Sequence, residues 1–159
     1  QVVDAVDIPV VAAGGIADAR GLAAAFCLGA QGVQMGTRLL ATEEVRLHPN
    51  YVDRVLKAKD RDAIVSGRST GHPVRALKNR FQLHYIEREK QGASTEELEA
   101  LGAGRLRAAV VDGDVENGSV MAGQVAGLVK EVLPVAQIFE DIVAGAETVL
   151  AAAQTKWDV

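Results

Sequence analysis

The sequence predicts an α/β protein: the C-terminal part of a (β/α)8 barrel, holding its last two barrel strands, followed by a mainly helical region. Two observations carry that expectation. Ile8-Pro9-Val10-Val11-Ala12-Ala13 is an apolar run that stops at Gly14-Gly15, and Gly32-Val33-Gln34-Met35 is a second strand-like run that stops at Gly36-Thr37. The first run is apolar on both faces, as suits a parallel strand covered by helices, and paired glycines let backbone N–H groups approach a ligand. Loops after the last two strands of such a barrel are a recurrent phosphate site. A closed barrel takes roughly 250 residues, so this chain of 159 reads as part of a longer protein whose remainder lies upstream.

Taken in order, the stub from Gln1 to Asp7 reads as the end of a helix. Between the two strands, Leu22, Ala25, Phe26 and Leu28 recur at helical spacing, with Asp18 placed to cap the helix and Gly29 to stop it. Residues 38–45 suggest a short helix whose N-terminus faces the phosphate, with Thr37 as cap and ligand together. Near His48-Pro49 the pattern changes, which divides the chain into 1–47, the barrel end with its phosphate loops, and 48–159, a mainly helical region packing on it. Residues 51–59 and 74–90 read as amphipathic helices, Ala63-Ile64-Val65-Ser66 as a lone β-like run, and Ser94-Thr95-Glu96-Glu97 as a capping pattern for a helix ending at Gly102. Helices over 106–111, 120–130 and 135–157 follow, with turns at 112–114 and 116–118. Aromatic residues make up only 4% of the chain, so close packing through small residues is expected, for example across Gly123 and Gly127.

The net charge of −4 offers no basic excess for nucleic acid phosphates, and no apolar run approaches the roughly 20 residues that span a bilayer. The sequence therefore points away from nucleic acid and membrane partners, and a cytoplasmic location is expected. The lone Cys27 leaves no internal disulfide and is expected to pack in the core. No His, Cys, Asp or Glu cluster has metal-ligand spacing, so no metal is expected, and no GxSxG pattern suggests acyl hydrolysis. His48 reads as a helix cap or a solvent-facing turn residue and His84 as surface. His72, flanked by Arg68 and Arg75, reads as a turn residue with a possible ligand role. The spacing by itself leaves the phosphate bearer open among FMN, a nucleotide and a sugar phosphate.

Residues 8–18, 32–38 and 41–44 resemble the nitronate monooxygenase and 2-nitropropane dioxygenase-like flavoproteins, a superfamily that includes enoyl-[acyl-carrier-protein] reductase II. His48-Pro-Asn-Tyr51, residues 66–75 with Lys78-Asn79, and residues 102–128 resemble the reductase branch. The resemblance implies FMN as cofactor, NADH or NADPH as co-substrate, and hydride delivery to the β-carbon of a trans-2-enoyl thioester carried on acyl carrier protein, the step that ends a fatty-acid elongation cycle. It also implies a homodimer. Gly14 and Gly15 match the loop whose amides contact the FMN phosphate. Gln34, Met35, Gly36 and Thr37 match the second loop, with Gln34 nearest the ring, and Ser119, Met121 and Gln124 match a segment beside the flavin and substrate pocket. The family's histidine near the flavin would precede Gln1, so no catalytic residue is assigned, and the chain by itself is expected to bind FMN weakly or not at all and not to turn over. The basic residues Arg68, Arg75, Lys78 and Arg80 could present a positive rim to an acidic carrier protein, and His72 could meet its phosphopantetheine arm or a nicotinamide dinucleotide phosphate. Two alternatives stand beside this reading: oxidation of alkyl nitronates by dioxygen on the same flavin scaffold, and a non-functional or half-barrel piece.

Overall fold

The computed structural model describes residues 1–156. A one-turn helix α1 (Val2–Ala5) leads into β1 (Val11–Ala13), which pairs in parallel with β2 (Gly32–Gln34); Ala12 lies opposite Val33 and Ala13 opposite Gln34. The crossover helix α2 (Ala19–Cys27) starts where the sequence places it, because Asp18 Oδ1 accepts from the amides of Arg20 at 3.0 Å and Gly21 at 3.2 Å. The Arg20 guanidinium, hydrogen-bonded to the same carboxylate, holds Asp18 below its ordinary range.

The long C-terminal helix α7 (Val135–Gln154) returns to lie on α2. Together they bury Ile16, Leu22, Ala25, Met35, Ile138 and Ile142 in one core. No side chain of the preceding residue caps α7; instead Glu44, far away in sequence, accepts from the Val135 amide at 3.0 Å with both carboxylate oxygens. A second core, around Tyr51, Val55, Leu77, Val120 and Val129, lies between helix α3 (Pro49–Leu56), a β-hairpin and a short 3-10 segment, Gln124–Leu128. The hairpin consists of β3 (Ala63–Ser66) and β4 (Val74–Leu77), paired antiparallel with Ser66 opposite Val74. Helices α4 (Arg80–Lys90), α5 (Thr95–Gly102) and α6 (Arg105–Val110) complete this region.

Several elements differ from the sequence reading, each for a tertiary reason. Residues 74–77 are strand rather than helix because β3 pairs with them on one side, while the Leu77 amide donates to Val120 O at 2.8 Å on the other. Helix α4 therefore begins only after Asn79, whose side chain accepts from the Gln82 amide at 2.8 Å. The same sheet edge keeps residues 119–122 extended, Met121 bridging to Ala76, so that only Gln124–Leu128 winds up, and as a 3-10 turn. The helix read over 38–45 is a 3-10 turn, Thr37–Ala41, because Thr42 then extends to bridge Leu133. Cys27 is exposed at the end of α2 rather than packed in the core. Gly127 does permit a close approach, to the backbone at Asp60, but from the 3-10 turn rather than between two helices. Trp157, the last residue of the helix read from sequence, lies outside the described residues.

The parallel strands are covered on one face. Ala12 and Val33 pack toward the α2–α7 core, whereas Val11 is 57% exposed. Among the described residues, no helix is long and apolar enough to cross a membrane.

Candidate functional site

The parallel register sets the ends of β1 and β2 side by side, so the Gly14-Gly15 and Gly36-Thr37 loops leave neighbouring strands at the same edge of the sheet. Gly14 has φ 109° and Gly15 φ 72°, both in the region that side chains disfavour. The space where a Cβ would stand is empty at Gly14, Gly15 and Gly36. Among the described residues, the amides of Gly15, Gly36 and Thr37 find no acceptor. Bare amides over open space at adjacent strand ends suit a phosphate, which needs donors and room. Gln34 is exposed at the strand end, while the Met35 side chain is buried in the α2–α7 core and leaves only its backbone at the loop.

Thr37 does not cap the turn that follows it. It is the first turn residue, preceded by Gly36, and its hydroxyl oxygen accepts from the Gly123 amide at 2.9 Å. Beside it, Arg38 is buried, and its Nη1 donates to Ala41 O at 3.2 Å and to Glu131 O at 3.3 Å. Desolvation lowers the pKa of this guanidinium, with the carboxylates of Glu131 and Asp141 opposing the shift. Glu43 then donates its amide to Leu133 O at 3.2 Å. Residues 123–133 thus fasten the second loop from the far end of the sequence.

The upstream end of this strap is anchored as firmly. Ser119 donates its amide to Arg105 O at 2.8 Å, and the Tyr51 hydroxyl donates to Met121 O at 2.8 Å. Tyr51 is 2% exposed, and burial pushes its phenol up to about 12, with the bond to Met121 opposing the shift. The unfolded chain releases this proton first as pH rises, so the Tyr51 contribution to stability is complete below pH 10 and is expected to fall away as pH rises from 10 toward about 12. Urea unfolding across that range checks it; Tyr51→Phe should remove this alkaline decline and cost about 1 kcal/mol at neutral pH.

Two of the three residues read as pocket-forming, Ser119 and Met121, meet His72 around a cavity of about 140 Å³, and Gln124 lies outside it. His72 follows a turn held by Glu89, whose carboxylate accepts from the amides of Gly67 at 2.9 Å and Ser69 at 3.1 Å and from the Ser69 hydroxyl at 2.9 Å. Burial works against the Glu89 charge, yet these donors hold it below its ordinary range. The basic residues do not form one free rim: Arg75 donates to Ala63 O at 3.3 Å and Arg80 to the Asn117 side chain, while Arg68 and Lys78 remain exposed. His48 caps α3, accepting from the Asn50 amide at 3.2 Å, and His84 is exposed. No group of three metal-ligating side chains occurs among the described residues. Sequence reasoning gave no role to Gln82, which is buried, and named Asn79 and Tyr51 only within the stretches that resemble the reductase branch, without their buried hydrogen bonds.

A parallel βα unit whose glycine loops open at adjacent strand ends defines an α/β protein of the barrel class. The chain belongs to the nitronate monooxygenase family, whose sequence model matches residues 1–145. Among solved structures, FabK from Thermotoga maritima superposes with a TM-score of 0.93 at 46% identity, over 98% of this chain and 49% of that one. A nitroalkane oxidase from Streptomyces ansochromogenes superposes with a TM-score of 0.78 at 30% identity, over 94% of this chain and 42% of that one. These neighbours are (β/α)8-barrel enzymes, and β1 and β2 take the place of barrel strands in that fold. A probable nitronate monooxygenase of Staphylococcus saprophyticus is 47% identical over 81 residues, 51% of this chain and 23% of that protein. The chain thus spans about half the length of the FabK chain, and the matched stretch about a quarter of the curated relative.

Proposed function

We propose that this chain, joined to the upstream barrel strands its relatives carry, forms an FMN-dependent oxidoreductase that reduces trans-2-enoyl thioesters on acyl carrier protein with NADH or NADPH. The observation that carries this reading is the likeness to FabK, an enoyl-[acyl-carrier-protein] reductase II: it runs over 98% of the chain at 46% identity, against 30% for the nitroalkane oxidase. The residues present fit the cofactor's phosphate. Gly15, Gly36 and Thr37 offer unpartnered amides, Gly14 and Gly15 hold the loop open, and the contacts from Gly123 and Arg38 keep the second loop from moving off. When bound, FMN would supply the hydride chemistry between nicotinamide and enoyl thioester. Gln34, exposed at the strand end, is the side chain of the second loop available to the ring. An acidic carrier would meet Arg68 and Lys78, the two cations of the basic group left exposed without a side-chain partner among the described residues, and the assembly would be a homodimer.

A second reading, oxidation of alkyl nitronates by dioxygen, is favoured by the curated relatives named probable nitronate monooxygenase and by the nitroalkane oxidase structure. One experiment separates the two. The barrel-complete protein, loaded with FMN and reduced anaerobically with NADH or NADPH, is mixed in turn with a crotonyl thioester and with an alkyl nitronate plus oxygen. Rapid flavin reoxidation by the thioester is the expected result. A flavin that the nicotinamide cannot reduce, together with rapid nitronate turnover, would replace the first reading by the second.

A further inference from the structure

The cavity lined by Ser119 and Met121, which the resemblance matched to the substrate pocket, has a polar floor completed by Gln82, a residue to which that reading gave no role. Gln82, Ser66 and Ser119 are 1%, 5% and 6% exposed. Ser66 Oγ donates to Gln82 Oε1 at 2.9 Å, and Gln82 Nε2 donates to Ser119 Oγ at 3.4 Å. Each of these groups therefore has a partner, but the donors are not exhausted. The second N–H of the Gln82 amide and the Ser119 hydroxyl hydrogen have no acceptor among the described residues. Both residues line the cavity, whose walls are otherwise mainly apolar, with Val74, Phe81 and Leu106 among them.

Two spare neutral donors in an apolar pocket select an acceptor that is itself neutral. Burying an anion there would demand a cationic partner; the cavity lining contains no lysine or arginine, and its one histidine, His72, is exposed at the rim rather than buried with the two donors. A volume of about 140 Å³ suits a guest of benzene size, since a cavity of roughly 150 Å³ accepts one; an amide with its adjoining methylenes is of that order. The pocket also adjoins the strap that fastens the phosphate loop: Ser119 and Met121 line it, and Gly123, two residues on, holds Thr37.

We propose that this cavity is a carbonyl-binding subsite in which Gln82 Nε2 and Ser119 Oγ donate to one amide oxygen of a pantetheine-linked thioester while its methylenes lie against Val74, Phe81 and Leu106. The identity of the ligand rests on the reductase reading; the carbonyl preference of the pocket rests on the geometry alone.

The test uses the barrel-complete, FMN-loaded protein, pantetheine as the binding probe, and two crotonyl thioesters, one of pantetheine and one of ethanethiol, which has no amide. Pantetheine should shift the side-chain amide resonances of Gln82. The pantetheine ester should show a KM about tenfold below that of the ethyl ester, the effect of two modest neutral hydrogen bonds. That preference should fall to near unity in Gln82→Met and independently in Ser119→Ala, the second variant guarding against misfolding when Ser66 loses its acceptor. Resonances that stay in place, or a preference that persists in both variants, would overturn the subsite and leave the cavity to water. Shifted resonances with neither thioester turned over would support the subsite and overturn the reductase reading instead.

Discussion

Gly15→Asp is expected to weaken FMN binding by the barrel-complete protein about 100-fold, or about 2.7 kcal/mol. Three effects act in the same direction. Gly15 has φ 72°, where a side chain costs about 1–2 kcal/mol, so the loop must either hold that strain or rotate its amide away. The new carboxylate would occupy the open space over the loop, which is where the phosphate needs to be. It would also set a negative charge against a phosphate dianion at contact distance. Gly15→Ala keeps the strain without the charge and is expected to lose less. Flavin fluorescence titration of the three proteins reads the series; equal affinities would mean that the phosphate is held elsewhere.

Gly118→Ala is expected to destabilise the fold by about 3 kcal/mol, which for a domain of this size is a fall in Tm of roughly 6–12 °C. An added Cβ would come within 2.5 Å of Asp114 O, 2.6 Å of Ala109 N and 2.8 Å of Ala109 Cβ. Two of these are backbone atoms that cannot swing aside, and Asp114 O already accepts from the Gly118 amide at 2.9 Å. Gly118 is also the joint on which the next turn depends, since its carbonyl accepts from Asn79 Nδ2 at 2.8 Å and Asn79 in turn caps α4. Displacing residue 118 would loosen the start of α4 and, one residue on, Ser119 in the pocket floor. Thermal unfolding by circular dichroism checks the size of the loss; a Tm unchanged within 2 °C would show that the turn yields without cost.

The N-terminal third was legible because its signals are local. Apolar runs, the glycines that end them and the Asp18 cap all lie within a few residues of what they specify, and β1, α2, β2 and both loops fall where they point. Residues 74–77 were misread because their strand character comes from partners at 63–66 and at Val120, which helical periodicity along one stretch does not register. The same edge kept residues 119–122 extended. Asn79 was the available signal, an N-cap residue type in the middle of an apparent helix. Within the site, the glycine loops were plain, but Gln82 was not: on an amphipathic helix a glutamine reads as solvent-facing, and what buries it arrives from Ser66 and Ser119, 16 and 37 residues away. Cys27 failed for the opposite reason, since an Ala-rich helix suggests burial all round while its last turn here is exposed.

Whether two adjacent glycine loops hold the phosphate of a flavin mononucleotide is tested most directly by the affinity of the barrel-complete protein for FMN beside its affinity for riboflavin, the same ring without the phosphate. FMN is expected to bind at least about 100-fold more tightly, with most of that difference lost in Gly15→Asp. Equal affinities for the two flavins would contradict it.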